Sequence, residues 1–201
     1  MYAVIDLETT GLDPRVHRVV ELAVVEVDAT GSVVDEWSSL VAVPGTAELG
    51  QSALHGVTRA MLVGAPSFAE LAPELIRRLA GRVVVAHVLE FDLGHLETEL
   101  RRCGIETADL RRSGICTRQL AQRHLPPGPR TLEACCSATG VRIEGAHTAI
   151  GDARAAAGLL RHYIAAGHAP EWAGQLEAAR ALAWPGVLSP VGGAVPVRPR
   201  A

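Results

Sequence analysis

Two acidic side chains flank a single leucine near the N-terminus of the chain. They are Asp6 and Glu8, and they follow residues 2–5, an apolar run typical of a buried β-strand. Because alternate residues of a strand point to the same side, these carboxylates should face one point. Like charges held together favour a hard divalent cation with oxygen ligands, such as Mg²⁺ or Mn²⁺. Taken alone, the pattern is more typical of a solvated strand end, so the metal site is indicated only if further acids join it.

Two later segments of the chain supply further acids. An apolar run predicts a second strand, and after it the leucine spacing of residues 89–96 predicts a helix with Asp92 in its first turns. The Ala- and Leu-rich residues 153–164 predict another helix, which begins near Asp152. On one continuous helix His147 and Asp152 would lie about 140° apart. If both serve one site, His147 therefore lies in the approaching loop and Asp152 on the helix.

In these motifs the chain resembles the DEDDh 3′–5′ exonucleases, a family that includes the proofreading epsilon subunit of bacterial DNA polymerase III. The resemblance covers roughly residues 1–165, and three motifs in the right order and spacing make it specific. One position departs from the family pattern, because Val88 stands where the family usually has Asn. This change leaves the acids intact and alters local substrate contacts. The matching segments are residues 5–12 (IDLETTGL), 85–92 (VAHVLEFD) and 146–153 (AHTAIGDA), with residues 53–58 (ALHGVT) resembling a further element.

The resemblance implies an RNase H-like α/β fold, in which helices flank a mixed five-stranded sheet built from an antiparallel meander plus parallel strands. It also implies phosphodiester hydrolysis with two divalent cations, Mg²⁺ or Mn²⁺, which can activate a water and stabilise the leaving oxygen. The implied metal ligands are Asp6, Glu8, Asp92 and Asp152. The implied general base is His147, since imidazoles titrate near neutrality; a lone histidine there would otherwise be a helix-entry residue bonded to backbone.

The turn after the first strand is the implied site for the 3′ end of the substrate. Its backbone and Thr9 would hold the terminal 3′-hydroxyl, and Leu12 would press against the terminal bases. His55, His87 and Phe91 would complete this pocket, although Phe91 could equally belong to the core.

Apolar periodicity and turn residues predict the order of the elements. Short connections make the first three strands an antiparallel meander, and Ser67 with Glu70 forms a capping box at the start of the first long helix. The predicted strands are 2–7, 18–28, 33–43, 82–86 and 114–117. The predicted helices are 67–80, 90–103, 117–124, 131–139 and 149–165.

Composition sets the outer bounds. The chain has 201 residues, 48% of them hydrophobic, and a net charge of −3. The protein as a whole therefore lacks the excess of basic residues that is typical of nucleic-acid-binding proteins. No apolar run approaches the roughly 20 residues that span a membrane, and no secretory signal is visible, which indicates a cytoplasmic protein. The 4 cysteines show no zinc pattern and fit free thiols in a reducing compartment.

Several charged or aromatic groups receive only a structural interpretation. The arginine pairs are predicted to be solvated helix ends and loops, and five histidines without a partner pattern are predicted to lie on the surface. The pairs are Arg77–Arg78, Arg101–Arg102 and Arg111–Arg112. The histidines are His17, His95, His124, His162 and His168.

Residues 166–201 differ from the predicted exonuclease domain, residues 1–165. Pro170 suits the start of a helix, on which Trp172, Leu176, Ala179 and Ala183 would form a weakly apolar face. A Pro- and Gly-rich, flexible end follows. This segment could tether a polymerase or another replication partner, but a helix packing back on the domain is favoured.

Three functions are consistent with the sequence. The first is a metal-dependent 3′–5′ exonuclease that acts on single-stranded DNA ends in proofreading or repair and releases nucleoside 5′-monophosphates. The second is an exoribonuclease of the RNase T or oligoribonuclease type, because no residue separates DNA from RNA. The third is a catalytically silent interaction module, which the complete set of acids argues against.

Overall fold

Five strands form one mixed sheet: β1 (Tyr2–Thr9), β2 (Val19–Val27), β3 (Val33–Leu40), β4 (Val83–Ala86) and β5 (Ile115–Cys116). Their order across the sheet is β3-β2-β1-β4-β5. Neighbouring strands β1, β2 and β3 pair antiparallel, whereas β4 pairs parallel with both β1 and β5. This is the predicted meander with parallel strands added on one side. The computed structural model describes residues 1–45, 47–50, 52–107 and 109–184.

Helices cover both faces of the sheet. The long helices begin and end within two residues of their predicted positions. One short helix and the first two of three 3-10 turns had no signal in the sequence, whereas the third 3-10 turn contains Pro170, which predicted the start of a helix. The helices are α1 (Ser52–His55), α2 (Phe68–Leu79), α3 (Leu89–Arg102), α4 (Thr117–His124), α5 (Leu132–Thr139), α6 (Ala149–Ala165) and α7 (Ala173–Ala181); the 3-10 turns are Ala60–Leu62, Leu110–Ser113 and Ala169–Trp172.

The alternation of side chains along β1 divides the core into two parts. Ile5 and Leu7 pack with α2 and α3 on one face, and Val4 packs with α6 on the other. Asp6 continues the alternation of Val4, so its carboxylate lies on the α6 face. Since β1 and β4 run parallel, α3 begins at the same edge of the sheet at which β1 ends. This geometry directs acids from two helices toward the end of β1.

The structure corrects the prediction that every arginine pair is solvated. The Arg78 side chain is buried, and its Nη1 lies 2.9 Å from both Glu26 Oε1 and Asp35 Oδ2, while its Nε donates to Glu74. A buried guanidinium requires such partners because desolvation of an unpaired charge is costly. Arg78 therefore ties α2 to β2 and β3.

The C-terminal segment packs on the domain through part of its predicted apolar face. Trp172 and Ala179 are buried with α6, and the Trp172 indole N–H donates to the Tyr2 hydroxyl at 3.0 Å. The prediction is wrong for Ala183, which lies exposed beyond the end of α7. The Pro- and Gly-rich end, residues 185–201, lies outside the described residues. In the part of the chain that the structure covers, no helix has the length and apolar content needed to cross a membrane.

The predicted capping box at the start of α2 is confirmed. The Ser67 hydroxyl accepts from the Glu70 N–H at 3.3 Å, and the Glu70 carboxylate accepts from the Ser67 N–H at 2.8 Å. Two N–H groups that would lack helical partners are thereby satisfied.

Replacing Ser67 with Ala should lower the free energy of unfolding by about 1 kcal/mol, because it removes this cap. Urea titration followed by circular dichroism measures the change. The matched control is Ser137→Ala, an exposed serine within α5, which should leave stability unchanged or slightly raised. Equal stability of the Ser67→Ala variant and the wild type would show that the cap contributes nothing.

Candidate active site

Three carboxylates converge at the carboxyl end of the central strand. Asp6 and Glu8 are half-buried on β1, and Asp152 is half-buried in the first turn of α6. One carboxylate oxygen from each residue lies within 4.8 Å of the other two. The same-side spacing of strand residues and the packing of α6 on that face together produce this cluster.

Asp92 borders the cluster from the opposite helix. It is 4% exposed and lies in the first turn of α3, which starts directly after β4. Its negative charge is the strongest neighbouring charge that raises the pKa of Asp6, and the charge of Glu8 raises the pKa of Asp92 in turn. A backbone hydrogen bond from Leu7 lowers the pKa of Asp92, but burial raises it more strongly.

Burial is also the main cause of the raised pKa values elsewhere in the cluster. It raises the pKa of Asp6 well above the usual carboxyl range, and the charges of Asp92 and Asp152 add to this effect. Burial raises the pKa of Asp152 too, although a hydrogen bond from the His147 N–H opposes it. Ionised oxygens held this closely are what a hard divalent cation requires as ligands.

The loop before α6 is fixed by short-range contacts. The Thr148 hydroxyl donates to the Gly145 carbonyl at 2.7 Å and accepts from the Gly151 N–H at 3.1 Å, so Thr148 caps the helix. A Cβ atom at Gly151 would lie 2.0 Å from the Gly145 oxygen, so only glycine permits this approach. The glycine immediately before Asp152 thus keeps the loop against the helix that carries the acid.

His147 lies in this loop, as predicted from its spacing to Asp152. Its backbone N–H donates to Asp152 Oδ2 at 3.2 Å. Its φ of 60° falls in the left-handed region, which is unusual for a residue with a side chain and costs on the order of 1–3 kcal/mol. The imidazole is 46% exposed, and its Nε2 lies 3.9 Å from Glu133 Oε1.

The turn after β1 presents an apolar side chain to solvent beside the acids. Leu12 is 72% exposed, whereas Thr9 is buried and its hydroxyl donates to the Gly11 carbonyl at 2.8 Å. Phe91 is half-buried on α3 and packs against the His95 ring with centroids 4.5 Å apart. The turn and the start of α3 therefore form one wall next to the carboxylates.

His95 is buried, so the prediction that it lies on the surface is wrong. It is 1% exposed, and its two ring nitrogens lie 3.1 Å from the Gly11 and Phe91 carbonyl oxygens. Burial lowers the pKa of His95, although the contacts with the Phe91 and Gly11 carbonyl groups oppose this effect. His95 connects α3 to the turn that carries Leu12. Its position one helical turn after Asp92 was the available signal, since residues three apart share a helix face.

Glu21 is a further carboxylate near the cluster, and it was not among the predicted site residues. It lies on β2 directly opposite Glu8, is 1% exposed, and its Oε2 accepts from the Ala149 N–H at 3.3 Å. This bond holds the first residue of α6. Its charge also raises the pKa of Asp6. An acid inside residues 19–25, which are otherwise apolar, was the signal, because a buried carboxylate must have partners.

Two histidines predicted to bind substrate make internal hydrogen bonds. His55 is 2% exposed and its Nδ1 accepts from the Val57 N–H at 3.0 Å. His87 is 7% exposed, with Nδ1 3.0 Å from the Thr117 hydroxyl and Nε2 3.0 Å from the Arg130 carbonyl. These contacts organise the surrounding loops, and a role in substrate binding stays a prediction for both residues.

A mixed sheet whose central strand ends in an acid pair, joined by acids from helices on both faces, defines the RNase H-like class of nucleases. Residues 3–160 match the RNase T family model, described as an exonuclease, and the chain belongs to this exonuclease family. The resemblance to DEDDh exonucleases is thereby confirmed. Members of this family generally use divalent metal ions.

Bacterial replication proteins are among the relatives of the chain. It is 31% identical over 154 residues to the DNA polymerase III subunit epsilon of Aquifex aeolicus, which covers 76% of this chain and 74% of that protein. It is 30% identical over 167 residues to the epsilon subunit of Treponema pallidum, with 82% and 76% covered. The match to the PolC-type DNA polymerase III of Thermotoga petrophila is 29% identical over 163 residues and covers 81% of the chain but only 12% of the polymerase.

Solved structures share the fold. Exonuclease X in complex with 5′-overhanging duplex DNA superimposes with a TM-score of 0.68 at 26% identity, covering 88% of this chain and 99% of that one. The nuclease domain of 3′hExo, a DEDDh family member bound to rAMP, gives a TM-score of 0.71 at 17% identity, with 83% and 92% covered. At 17% identity, the similarity to the nuclease domain of 3′hExo shows a shared fold alone.

Replacing Asp6 with Asn should stabilise the metal-free protein at neutral pH. The pKa of the Asp6 carboxyl is higher in the folded protein than in the unfolded chain, so ionisation of Asp6 destabilises the folded state. This destabilisation begins when the pH exceeds the pKa in the unfolded chain and is complete above the pKa in the folded protein. In EDTA the free energy of unfolding should rise by on the order of 1 kcal/mol, and the gain should vanish in acid. Saturating Mn²⁺ should stabilise the wild type more than the variant.

The matched control is Asp13→Asn, which changes an acid paired with Arg15 in the loop that follows β1. Its pKa is lowered to about 2, so losing its charge should slightly destabilise the protein in EDTA and in Mn²⁺ alike. Chemical denaturation across a range of pH measures both variants. An Asp6→Asn protein less stable than wild type in EDTA would contradict the repulsion inferred for the cluster.

Proposed function

We propose that this protein is a 3′–5′ exonuclease that hydrolyses single-stranded DNA ends and releases nucleoside 5′-monophosphates, in a proofreading or repair role. The observation that carries the proposal is the convergence of Asp6, Glu8 and Asp152 within 4.8 Å, with Asp92 buried beside them. The epsilon subunits among its relatives support DNA as the substrate. A polymerase is the corresponding candidate partner, and residues 185–201 of the predicted tether lie outside the described residues.

The carboxylates fit a pair of divalent cations, Mg²⁺ or Mn²⁺. Asp6, Glu8, Asp92 and Asp152 would hold them, because an all-oxygen donor set suits these ions. When bound, two such cations supply activation of the attacking water and neutralisation of the charge on the leaving oxygen. The raised pKa values of the buried aspartates agree with this role, since a nearby cation would stabilise their ionised forms.

His147 is the proposed general base. Its strained backbone is held to Asp152 by a hydrogen bond at 3.2 Å, which keeps the imidazole at the rim of the cluster. The ring itself is 46% exposed, so it can approach a bound strand and accept the proton of the attacking water. Strain maintained at a residue next to a ligand acid is typical of functional loops.

The turn after β1 would hold the 3′ end. The Thr9 hydroxyl donates to the Gly11 carbonyl, and its oxygen keeps a lone pair that can accept from a terminal 3′-hydroxyl. Leu12 is exposed and can pack against the terminal base, with Phe91 completing the wall. Such contacts tolerate any base, so cleavage should show little sequence preference.

Changing His147 to Ala should lower kcat by about 10²–10⁴-fold, because the general base is lost. The affinity for Mn²⁺ should change little, since the ring is not one of the carboxylate ligands. Steady-state hydrolysis of a labelled oligonucleotide at saturating Mn²⁺ gives both values. The control is His162→Ala, a histidine on α6 outside the acid cluster, which should keep wild-type kcat. A His147→Ala enzyme with wild-type kcat would show that His147 is not the general base.

End-directed hydrolysis should require a free 3′ terminus. Linear single-stranded DNA should yield mononucleotides, while a closed circle of the same sequence should persist, because the pocket accepts only an end. Replacing Leu12 with Ala should raise KM several-fold, and Val16→Ala, which alters another exposed apolar residue of the loop, should not. Comparable cleavage of the circle would refute an end-binding pocket.

Matched DNA and RNA oligonucleotides in the same assay decide the substrate. Preferential hydrolysis of RNA would replace the DNA assignment with an exoribonuclease of the RNase T type. If neither substrate is hydrolysed in the presence of Mg²⁺ or of Mn²⁺, the remaining interpretation is a catalytically silent interaction module with the same fold.

A further inference from the structure

A second cluster of metal-ligating side chains lies where α4 meets the C-terminal segment. His124 is the last residue of α4, while His168 and Glu171 belong to the 3-10 turn and its N-cap. One ligand atom from each residue lies within 4.8 Å of the other two. His124 Nε2 is 3.1 Å from Glu171 Oε2, and His168 Nδ1 is 2.8 Å from Oε1. The Glu171 carboxylate therefore contacts both imidazole rings, and each of its two oxygens contacts a different ring.

We propose that His124, His168 and Glu171 bind a transition-metal cation, with Zn²⁺ the ion that they match best. Two imidazole nitrogens and one carboxylate oxygen are a common zinc donor set, which leaves a fourth tetrahedral position for water. The set differs in kind from the acid cluster, whose oxygen ligands favour Mg²⁺ or Mn²⁺. The two sites should therefore select different metals.

The surrounding backbone favours a cation at this place. Helix α4 ends at His124, and α6 ends at Ala165, after which the His168 N–H donates to the Tyr163 carbonyl at 3.1 Å. The carboxyl ends of two helices therefore meet the cluster, and each carries a partial negative charge that stabilises a nearby cation. The Glu171 carboxylate adds a full negative charge.

The two rings are stacked, and metal binding must open the stack. Their centroids lie 3.7 Å apart at an interplanar angle of 24°, so the ring nitrogens point side by side toward the carboxylate. A turn of one ring about its side-chain bonds makes the two lone pairs converge on one ion. The side chains of His124 and His168 are 16% and 29% exposed, which places the opening at the surface.

A metal here would fasten the C-terminal segment to the domain. Glu171 is adjacent to Trp172, whose indole N–H donates to Tyr2 on β1 at 3.0 Å. Coordination would join the 3-10 turn to α4 beside this buried contact. Because the ion binds only the folded arrangement, it should raise the stability of the protein.

Calorimetric titration of the full chain with Zn²⁺ in excess Mg²⁺ tests the proposal, because the Mg²⁺ occupies the acid cluster. The wild type should bind one Zn²⁺ per chain and melt at a higher temperature with it. His124→Gln and His168→Gln should each weaken binding by at least about 100-fold, since losing a group that only hydrogen-bonds to a metal ligand already costs about 10–100-fold in affinity. The matched control is His162→Gln, a neighbouring histidine outside the cluster, which should bind Zn²⁺ as the wild type does.

Circular dichroism and Mg²⁺-dependent nucleic-acid hydrolysis verify that each variant is folded. If a histidine variant fails to fold, Glu171→Gln takes its place, because it keeps the side-chain shape and removes the charged ligand. Equal Zn²⁺ affinity in the wild type and a folded cluster variant would overturn the proposal, since the ion would then sit elsewhere. A wild type that binds no Zn²⁺ would equally overturn it and leave a hydrogen-bonded histidine–carboxylate clamp.

Discussion

Repulsion between carboxylates at the carboxyl end of β1 is the constraint on which the rest of the active-site architecture depends. Asp6, Glu8 and Asp152 offer oxygens within 4.8 Å of one another, and burial raises the pKa of Asp6 and of Asp152. Such an arrangement is unfavourable unless a cation compensates it. The sheet order explains how it forms at all, because β1 lies between an antiparallel and a parallel neighbour and receives helices on both faces. Under the proposed function, bound cations would offset this repulsion, and the acids would form a preorganised set of oxygen ligands.

Contacts around the acids keep that arrangement fixed. Glu21 holds the start of α6, and the absence of a side chain at Gly151 lets the loop carrying His147 close against the same helix. On the other side, His95 joins α3 to the turn after β1. The acids therefore rest on helices and a strand, while His147 and Leu12, two of the groups proposed to touch substrate, lie on loops. This division gives rigid ligands and adaptable substrate contacts.

Local patterns predicted the elements, whereas long-range pairing decided most of what sequence reasoning missed. The acid pair, the capping box at Ser67 and the loop position of His147 depend on spacing within a few residues. His95 meets Gly11 across 84 residues, and Glu21 meets Ala149 across 128. Arg78 likewise finds Glu26 from 52 residues away. No periodicity encodes such partners, although an acid within an apolar strand shows that a partner must exist.

The most direct measurement of the central claim is an anomalous difference map from crystals of this protein soaked in Mn²⁺. Two peaks roughly 3.5–4 Å apart are expected. Both should be coordinated by carboxylates of the cluster, and neither should remain in crystals of an Asp152→Asn variant soaked at low Mn²⁺ concentration. A well-ordered, soaked crystal with no peak beside Asp6 and Glu8 would show that these acids do not bind the cation, and that their close approach has another cause.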